Sequence, residues 1–174
     1  PYSYPLPIPS SLPIIYVGTT GYDIVYGIQM DKQGFPYIMG TTTGKWPVMG
    51  ANFSNPGSRQ FVCKLQPDLS VFAFSTVFGT GSGVNGYPNL SPTAFLVDRC
   101  QNIYVSGWGG GINSKDGYPT ATNGTLGMPE VNPLPSIPAA DGADFYFIVL
   151  ERDAQSQLFG SHFGQFGGLG DHVD

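Results

Sequence analysis

The chain has 174 residues, of which only 11% are charged, while 25 are glycine and 16 are proline. This composition allows one or two ordinary cores but disfavours long helices. The formal charge of −5, with only seven Lys and Arg and no basic cluster among them, argues against a nucleic-acid-binding surface. No apolar run approaches the roughly 20 residues that a membrane-spanning helix needs, so we do not expect the chain to span a bilayer.

Short strands are the expected secondary structure throughout. Aromatic residues make up 14% of the chain, and they alternate with β-branched residues in short runs bounded by turn formers, which indicates an all-β fold. Residues 1–13 contain five prolines and are predicted to form an extended linker, or a strap along a surface. Residues 14–17 are similar to the end of residues 71–78, so the repeat described next is expected to begin at its last strand.

The first unit covers about residues 24–79. Its predicted strands are residues 24–30, 37–42, 60–65 and 71–78, in up-and-down order. The first two strands flank an Asp31-Lys-Gln-Gly34 turn, in which Asp favours the first position and Gly accepts positive φ. A loop that passes through Trp46-Pro47 separates the second strand from the third. The unit is therefore predicted to be one four-stranded antiparallel sheet.

The second unit covers about residues 93–164 and repeats the same order. Asp31 and Gly40 lie 67 residues before Asp98 and Gly107, and Phe78 lies 85 residues before Phe163. Its predicted strands are residues 93–97, 103–107, 144–151 and 157–163. Because Gln101 stands where the first unit has Gly34, we expect either a different turn or a positive φ at Asn102. The final Val173-Asp174 matches Val97-Asp98, so residues 165–174 are predicted to open a further unit.

The burial pattern of these units favours stacking. Residues 145–150 show no polar alternation, so both faces of that strand are expected to be covered. Each four-stranded blade of a β-propeller lies between two neighbouring blades, which supplies such cover. We therefore predict an all-β chain of about two complete antiparallel propeller blades with partial flanking ones. Propellers have about four to eight blades, so the expected partners are other blades of the same larger polypeptide.

The order of motifs resembles the bacterial SBBP repeat, which is a β-propeller repeat. The first unit contains an Asp-x-x-Gly turn, Tyr-Ile-Met-Gly, Trp-Pro, Phe-Val-Cys-Lys-Leu and Ser-Thr-Val-Phe-Gly in that order. The second unit fits less closely, with Tyr118-Pro119 at the Trp-Pro position and Glu151 near the Lys-Leu position. The resemblance covers about residues 14–174, and no catalytic residue is carried over with it.

Segments 98–100, 105–110 and 160–164 are similar to large Bacteroidetes surface proteins of the gliding-motility type, which leave the cell by type IX secretion. This resemblance implies an extracellular or cell-surface location, and such proteins include adhesins. It implies a structural or binding segment of a larger secreted protein rather than an enzyme. The alternatives are an extracellular polysaccharide-degrading enzyme on a propeller scaffold and the cargo of a secretion complex. The enzyme would need paired carboxylates in a pocket, for which Asp141 and Asp144 are the candidates.

Catalytic and metal sites are not expected. The two histidines occur in Ser161-His162 and Asp171-His172, but neighbours in a strand point to opposite faces, and a zinc site normally needs three or four ligands. Aspartates cluster near the turns, where capping is favoured and calcium is the alternative, although none has the spacing of an EF-hand loop. We predict no cofactor.

Four aromatic residues in or beside the long loops are the candidate contact residues. They are Trp46, Tyr87, Trp108 and Tyr118, and an exposed ring among them could stack on a glycan or a protein ligand. Packing between blades is the alternative role for the same rings. The loop of residues 108–143 is the best candidate contact surface. Cys63 and Cys100 are expected to be free, with a bridge between the units as the alternative.

Overall fold

A computed structural model of the chain describes residues 14–81, 86–109, 124–134 and 142–164. These residues form eight strands and one short 3₁₀ turn at Arg152–Ala154. No helix in this part of the chain is long and apolar enough to cross a membrane. The strands are β1 Asp23–Met30, β2 Pro36–Thr42, β3 Gln60–Leu65, β4 Phe72–Phe78, β5 Ser91–Val97, β6 Ile103–Trp108, β7 Phe145–Leu150 and β8 Gln157–Phe163.

The strands form two four-stranded antiparallel sheets, with the orders β1-β2-β3-β4 (sheet one) and β5-β6-β7-β8 (sheet two). Each sheet therefore contains one predicted unit in up-and-down order, and the all-β prediction is confirmed. The predicted strand ends agree with the observed ones to within two residues. The proline-rich residues 1–13 and the predicted opening of a further unit at 165–174 lie outside the described residues.

The β1–β2 turn and the β5–β6 turn are closed in the same way. Gly34 N donates to Asp31 O at 3.1 Å, and Gln101 N donates to Asp98 O at 3.0 Å. Gly34 has a φ of +86°, and Gln101 keeps the same left-handed conformation with a φ of +68°. The prediction that the turn changes, or that Asn102 takes the positive φ, is therefore wrong. Asn102 instead donates its backbone N–H and its side-chain amide to the Asp98 carboxylate, at 2.9 and 3.1 Å.

The loop between the second and third strands covers the outer edge of each sheet. Met49 pairs with Ser75 of β4, and Val131 pairs with Gly160 of β8, in isolated antiparallel bridges. Ser75 and Gly160 occupy the same position in their units, so the two loops cap the last strand at the same point. Covering this edge hides backbone groups that would otherwise be open to pairing with another chain.

The two sheets pack face to face, with β1 against β5. The core between them, which we call the junction, is formed by side chains from both sheets. Phe95 of β5 lies over Gly27 of β1, where an added Cβ would come within 2.8 Å of the Phe95 ring. The largest fully buried members of the junction are Tyr37, Met39, Phe74, Phe78, Leu90, Ile103, Tyr146, Ile148 and Leu150.

The faces that meet at the junction are not equivalent. Sheet one contributes Tyr37 and Val62, among others, to the junction. Sheet two contributes Val105 and Ile148, among others. By the offsets of 67 and 85 residues, Val105 corresponds to Ile38 and Ile148 corresponds to Cys63. Ile38 and Cys63 belong to a second apolar cluster on the other face of sheet one. One face of sheet one thus packs on the opposite face of sheet two, so the contact is head-to-tail.

Both cysteines are free, as predicted, and they differ sharply in exposure. Burial raises the pKa of Cys63 to about 12, whereas Cys100 is exposed in the β5–β6 turn. Since the thiolate is the reactive form, we expect iodoacetamide at pH 8 to label one thiol per native chain, at Cys100. Mass spectrometry of the alkylated peptides checks this, and labelling of Cys63 at the rate of Cys100 would contradict it. Unfolding in guanidinium should make both thiols reactive.

Candidate functional site

Two of the four predicted contact residues are buried. Trp46 is only 5% exposed and Trp108 only 4%. The ring of Trp46 lies parallel to that of Phe61, with 3.5 Å between the centroids, and its Nε1 donates to Ser75 Oγ at 2.9 Å. Both rings are buried, so neither offers the exposed face that stacking on a ligand requires, and packing is the role that the structure shows for them. Trp46 packs within its own unit.

Of the other two contact candidates, only Tyr87 lies in the part of the chain that the structure describes. It is 48% exposed and lies in the connection between the two sheets. Tyr118 and most of the predicted contact loop of residues 108–143 lie outside the described residues. Tyr87 is therefore still a candidate for contact with a ligand. It is the one exposed ring among the three predicted contact residues that the structure describes.

The described histidine does not form a triad with its neighbouring serine. His162 Nδ1 lies 2.5 Å from Glu130 Oε1, while Ser161 Oγ accepts from Leu134 N at 3.2 Å. The two side chains thus have separate partners, as expected for neighbours that point to opposite faces of a strand. Asp171 and His172 lie outside the described residues.

The candidate carboxylate Asp144 has a structural environment. It is buried, and its Oδ2 accepts hydrogen bonds from Thr125 Oγ1 at 3.1 Å and Gly142 N at 3.3 Å. These bonds link Thr125, in the middle of the second unit's long loop, and Gly142, near its end, to the residue that precedes β7. Asp141, its proposed partner, lies outside the described residues.

The turn aspartates act as caps. Asp31 Oδ1 accepts from Gln33 N and Phe35 N, at 2.9 and 3.0 Å. Asp98 Oδ1 accepts from Cys100 N at 2.7 Å. Burial disfavours the Asp98 carboxylate, but hydrogen bonds from Asn102, Tyr104 and Cys100 outweigh it and lower its pKa. In the described ranges, no three His, Cys, Asp or Glu residues lie together as a metal-holding group.

A buried lysine crosses the junction, and the sequence reasoning missed it. Lys64 Nζ lies 3.0 Å from Gln101 Oε1, 3.2 Å from Asp153 Oδ1 and 3.6 Å from Asp31 Oδ2. It also lies 4.5 Å from the centre of the Phe35 ring. Burial disfavours the charged amine, but Tyr37 and Asp153 outweigh this effect and raise the pKa of Lys64. One cation therefore ties a turn of sheet one to two turns of sheet two.

A groove opens beside Trp46, in the loop between β2 and β3. Its volume is about 800 Å³, which lies within the roughly 300–1,000 Å³ of ordinary ligand pockets. Most of its wall is apolar, and its polar side chains include Lys45, Ser54 and Arg59. The only part of this loop that the sequence analysis singled out is Trp46-Pro47. The sequence motifs do not predict that Ser54 and Arg59 line the same groove.

No protein-family model matches this chain, and a search of curated proteins finds no match either.

Proposed function

We propose that this chain is a scaffold segment of a β-propeller, two consecutive blades within a larger secreted surface protein. One observation carries the proposal, namely the head-to-tail contact between equivalent sheets. Equivalent units that pack through unlike faces leave one face of each kind unused at the two ends. The same contact, repeated by further units, forms a ring when the rotation closes.

The face of sheet one that points away from the junction is covered in part by Trp46, and its exposed part, on β1, has the composition of a junction face. Ile28 and Met30 of β1 are 63% and 61% exposed, and they are the counterparts of Phe95 and Val97, which pack at the junction. Val25 adds a further exposed apolar side chain to the same face, at 52%. A contiguous apolar surface of this kind marks a contact site in soluble proteins.

The unused face of sheet two is aromatic. Tyr104, Phe147 and Phe159 are the counterparts of Tyr37, Val62 and Phe74, all of which are buried at the junction. The Phe147 ring lies 6.2 Å from that of Tyr104 and 5.8 Å from that of Phe159, measured between centroids. Leu96 lies beside Tyr104 and is 52% exposed. In the proposed ring, this face receives the next blade.

The cell-surface part of the proposal is supported by the resemblance to SBBP repeats and to gliding-motility-type surface proteins. A scaffold role requires no turnover. The bonding of Asp144 within its own loop supports this role over the glycosidase alternative, because a catalytic carboxylate must face a substrate.

Two charge substitutions test the head-to-tail contact. Ile28→Glu should block the unused face of sheet one, and Leu96→Glu should block that of sheet two. We expect the unmodified chain to self-associate as its concentration rises in sedimentation-velocity experiments, and each variant alone to stay monomeric. A mixture of the two variants should form dimers and nothing larger, since each retains the face that the other needs.

Lys32→Glu serves as the charge control, because Lys32 is exposed in the β1–β2 turn. This substitution should leave association unchanged. A mixture of the two blocked variants that stays monomeric while the unmodified chain associates would overturn the head-to-tail assignment. An unmodified chain that stays monomeric at millimolar concentration would contradict the proposal that its two exposed sheet faces are contact sites for further blades.

A further inference from the structure

We propose that the groove between β2 and β3 binds a short extended peptide that carries a carboxylate side chain between apolar residues. The groove is lined by residues that include Lys45, Trp46, Pro47, Ser54, Pro56 and Arg59. All of its lining residues belong to the first unit. The proposal therefore does not rest on the ring, and its failure would leave the proposed function untouched.

Charge is the first argument for an acidic ligand. The chain has twelve Asp and Glu against seven Lys and Arg, yet no carboxylate is among the groove-lining residues, whereas Lys45 and Arg59 are. A local cluster of positive charge in an acidic protein attracts anions and repels cations. The preferred ligand is therefore anionic.

The bonding of Arg59 favours a carboxylate. Its Nη1 donates to Thr43 O at 2.6 Å and also to Gly44 O, which fixes the guanidinium against the loop. Its Nε is buried and has no hydrogen-bond partner among the described residues. The Nε–Nη2 edge of a guanidinium matches the two oxygens of a carboxylate, and such paired bonds are stronger than neutral ones. The loop thus holds Arg59 through Nη1, while Nε has no partner among the described residues.

Ser54 supplies a second uncommitted polar group. Within the described part of the chain its Oγ is buried without a hydrogen-bond partner, as is Arg59 Nε. A buried polar atom that lacks a partner costs free energy, and a ligand that satisfies it recovers part of that cost. Both atoms belong to residues that line this groove, so a ligand that enters deeply enough to reach them, and that can both accept and donate hydrogen bonds as a peptide can, would satisfy them.

The apolar wall favours a peptide over an acidic sugar. A sugar ring normally stacks on an exposed aromatic face, but Trp46 is only 5% exposed and already stacks on Phe61. Pro47, Val48 and Pro56 instead offer accessible aliphatic contacts. Apolar side chains on both sides of a carboxylate would fill these positions.

Fluorescence polarisation with a labelled, end-capped peptide tests the proposal. The probe has one central glutamate flanked by valine and leucine, and its partner has glutamine in place of that glutamate. We expect the intact chain to bind the glutamate peptide about tenfold more tightly than the glutamine peptide. Added salt should weaken this preference, because the pair is only partly buried. Equal binding of the two peptides, or no binding of either at millimolar concentration, would overturn the proposal.

Three variants locate the site. Arg59→Lys keeps the charge but loses the paired geometry, so it should remove most of the tenfold preference. Lys45→Gln changes an exposed side chain and should weaken binding about threefold, which keeps the test valid if Arg59→Lys disturbs the loop. Ser54→Ala should also weaken binding. Lys32→Gln, in the β1–β2 turn, is the matched control. If it weakens peptide binding as much as Lys45→Gln does, the attraction comes from the net charge of the chain, and the site is refuted.

Sodium polygalacturonate provides the competing ligand. It carries carboxylates without apolar flanks, so we expect it not to displace the peptide at equal carboxylate concentration. Displacement that depends on Arg59 would assign the groove to acidic glycans and overturn the peptide assignment.

Discussion

Replacing Lys64 with methionine is expected to lower the free energy of unfolding by about 3–5 kcal/mol. Methionine keeps most of the buried apolar stem, so the loss reports the charge rather than a cavity. The side chain of Asp31 is only 3% exposed, and without the ammonium its Oδ2 would be a buried negative atom with no hydrogen-bond partner. Removing one partner of a buried ion pair is this destabilising because the remaining charge stays desolvated and unpaired. Urea unfolding followed by tryptophan fluorescence measures it.

A double substitution separates charge from packing. Lys64→Met combined with Asp31→Asn should recover more than half of the loss, since asparagine can still accept the turn hydrogen bonds without a negative charge. Lys45→Met is the exposed control and should change stability by less than about 0.5 kcal/mol. A Lys64→Met protein that unfolds at the same urea concentration as the unmodified chain would refute the structural role of the lysine.

Gly40→Ala is expected to lower the free energy of unfolding by about 3 kcal/mol, because the added Cβ would overlap atoms that already fill this space. It would lie 2.2 Å from the backbone oxygen of Ile24 and 2.6 Å from Cζ of Phe61. The register of β1 shifts between Val25 and Gly27, next to this glycine. The irregular strand therefore presses its backbone onto β2 where only a hydrogen atom fits. Urea unfolding again provides the measurement.

Gly34→Ala is the matched control for that substitution. Gly34 has a φ of +86°, but a Cβ added there would have no atom within 4 Å, so alanine should cost only about 1 kcal/mol of backbone strain. Equal losses at Gly40 and Gly34 would contradict the close approach of β1 as the reason for glycine at position 40.

The strands and their order could be predicted from the sequence because strand, turn and repeat signals agreed. The second unit supported the first through fixed offsets, so a weak signal in one unit was strengthened by a clearer one in the other. Gln101 shows the limit of such reasoning. Its left-handed conformation conflicts with its residue type, and the side chain is held by Lys64 Nζ at 3.0 Å, a contact from the other sheet that no local pattern records.

The candidate sites were less predictable than the strands. Trp46 is aromatic and lies in a loop, which suggests exposure, but its stacking on Phe61 depends on how the loop folds back over β4. Lys64 looks like an outward-facing strand residue, and Val149 stands at the corresponding place in sheet two. Only the packing of one sheet on the other makes it a buried cation. Side-chain positions that depend on distant segments cannot be read from local spacing.

The most direct test of the proposed propeller is electron microscopy of the native polypeptide purified from its source. The proposal predicts that class averages show a ring of about four to eight radial blades around a central axis, in a polypeptide larger than the 18.6 kDa of this chain. Particles no larger than the two packed sheets, with no ring, would contradict it.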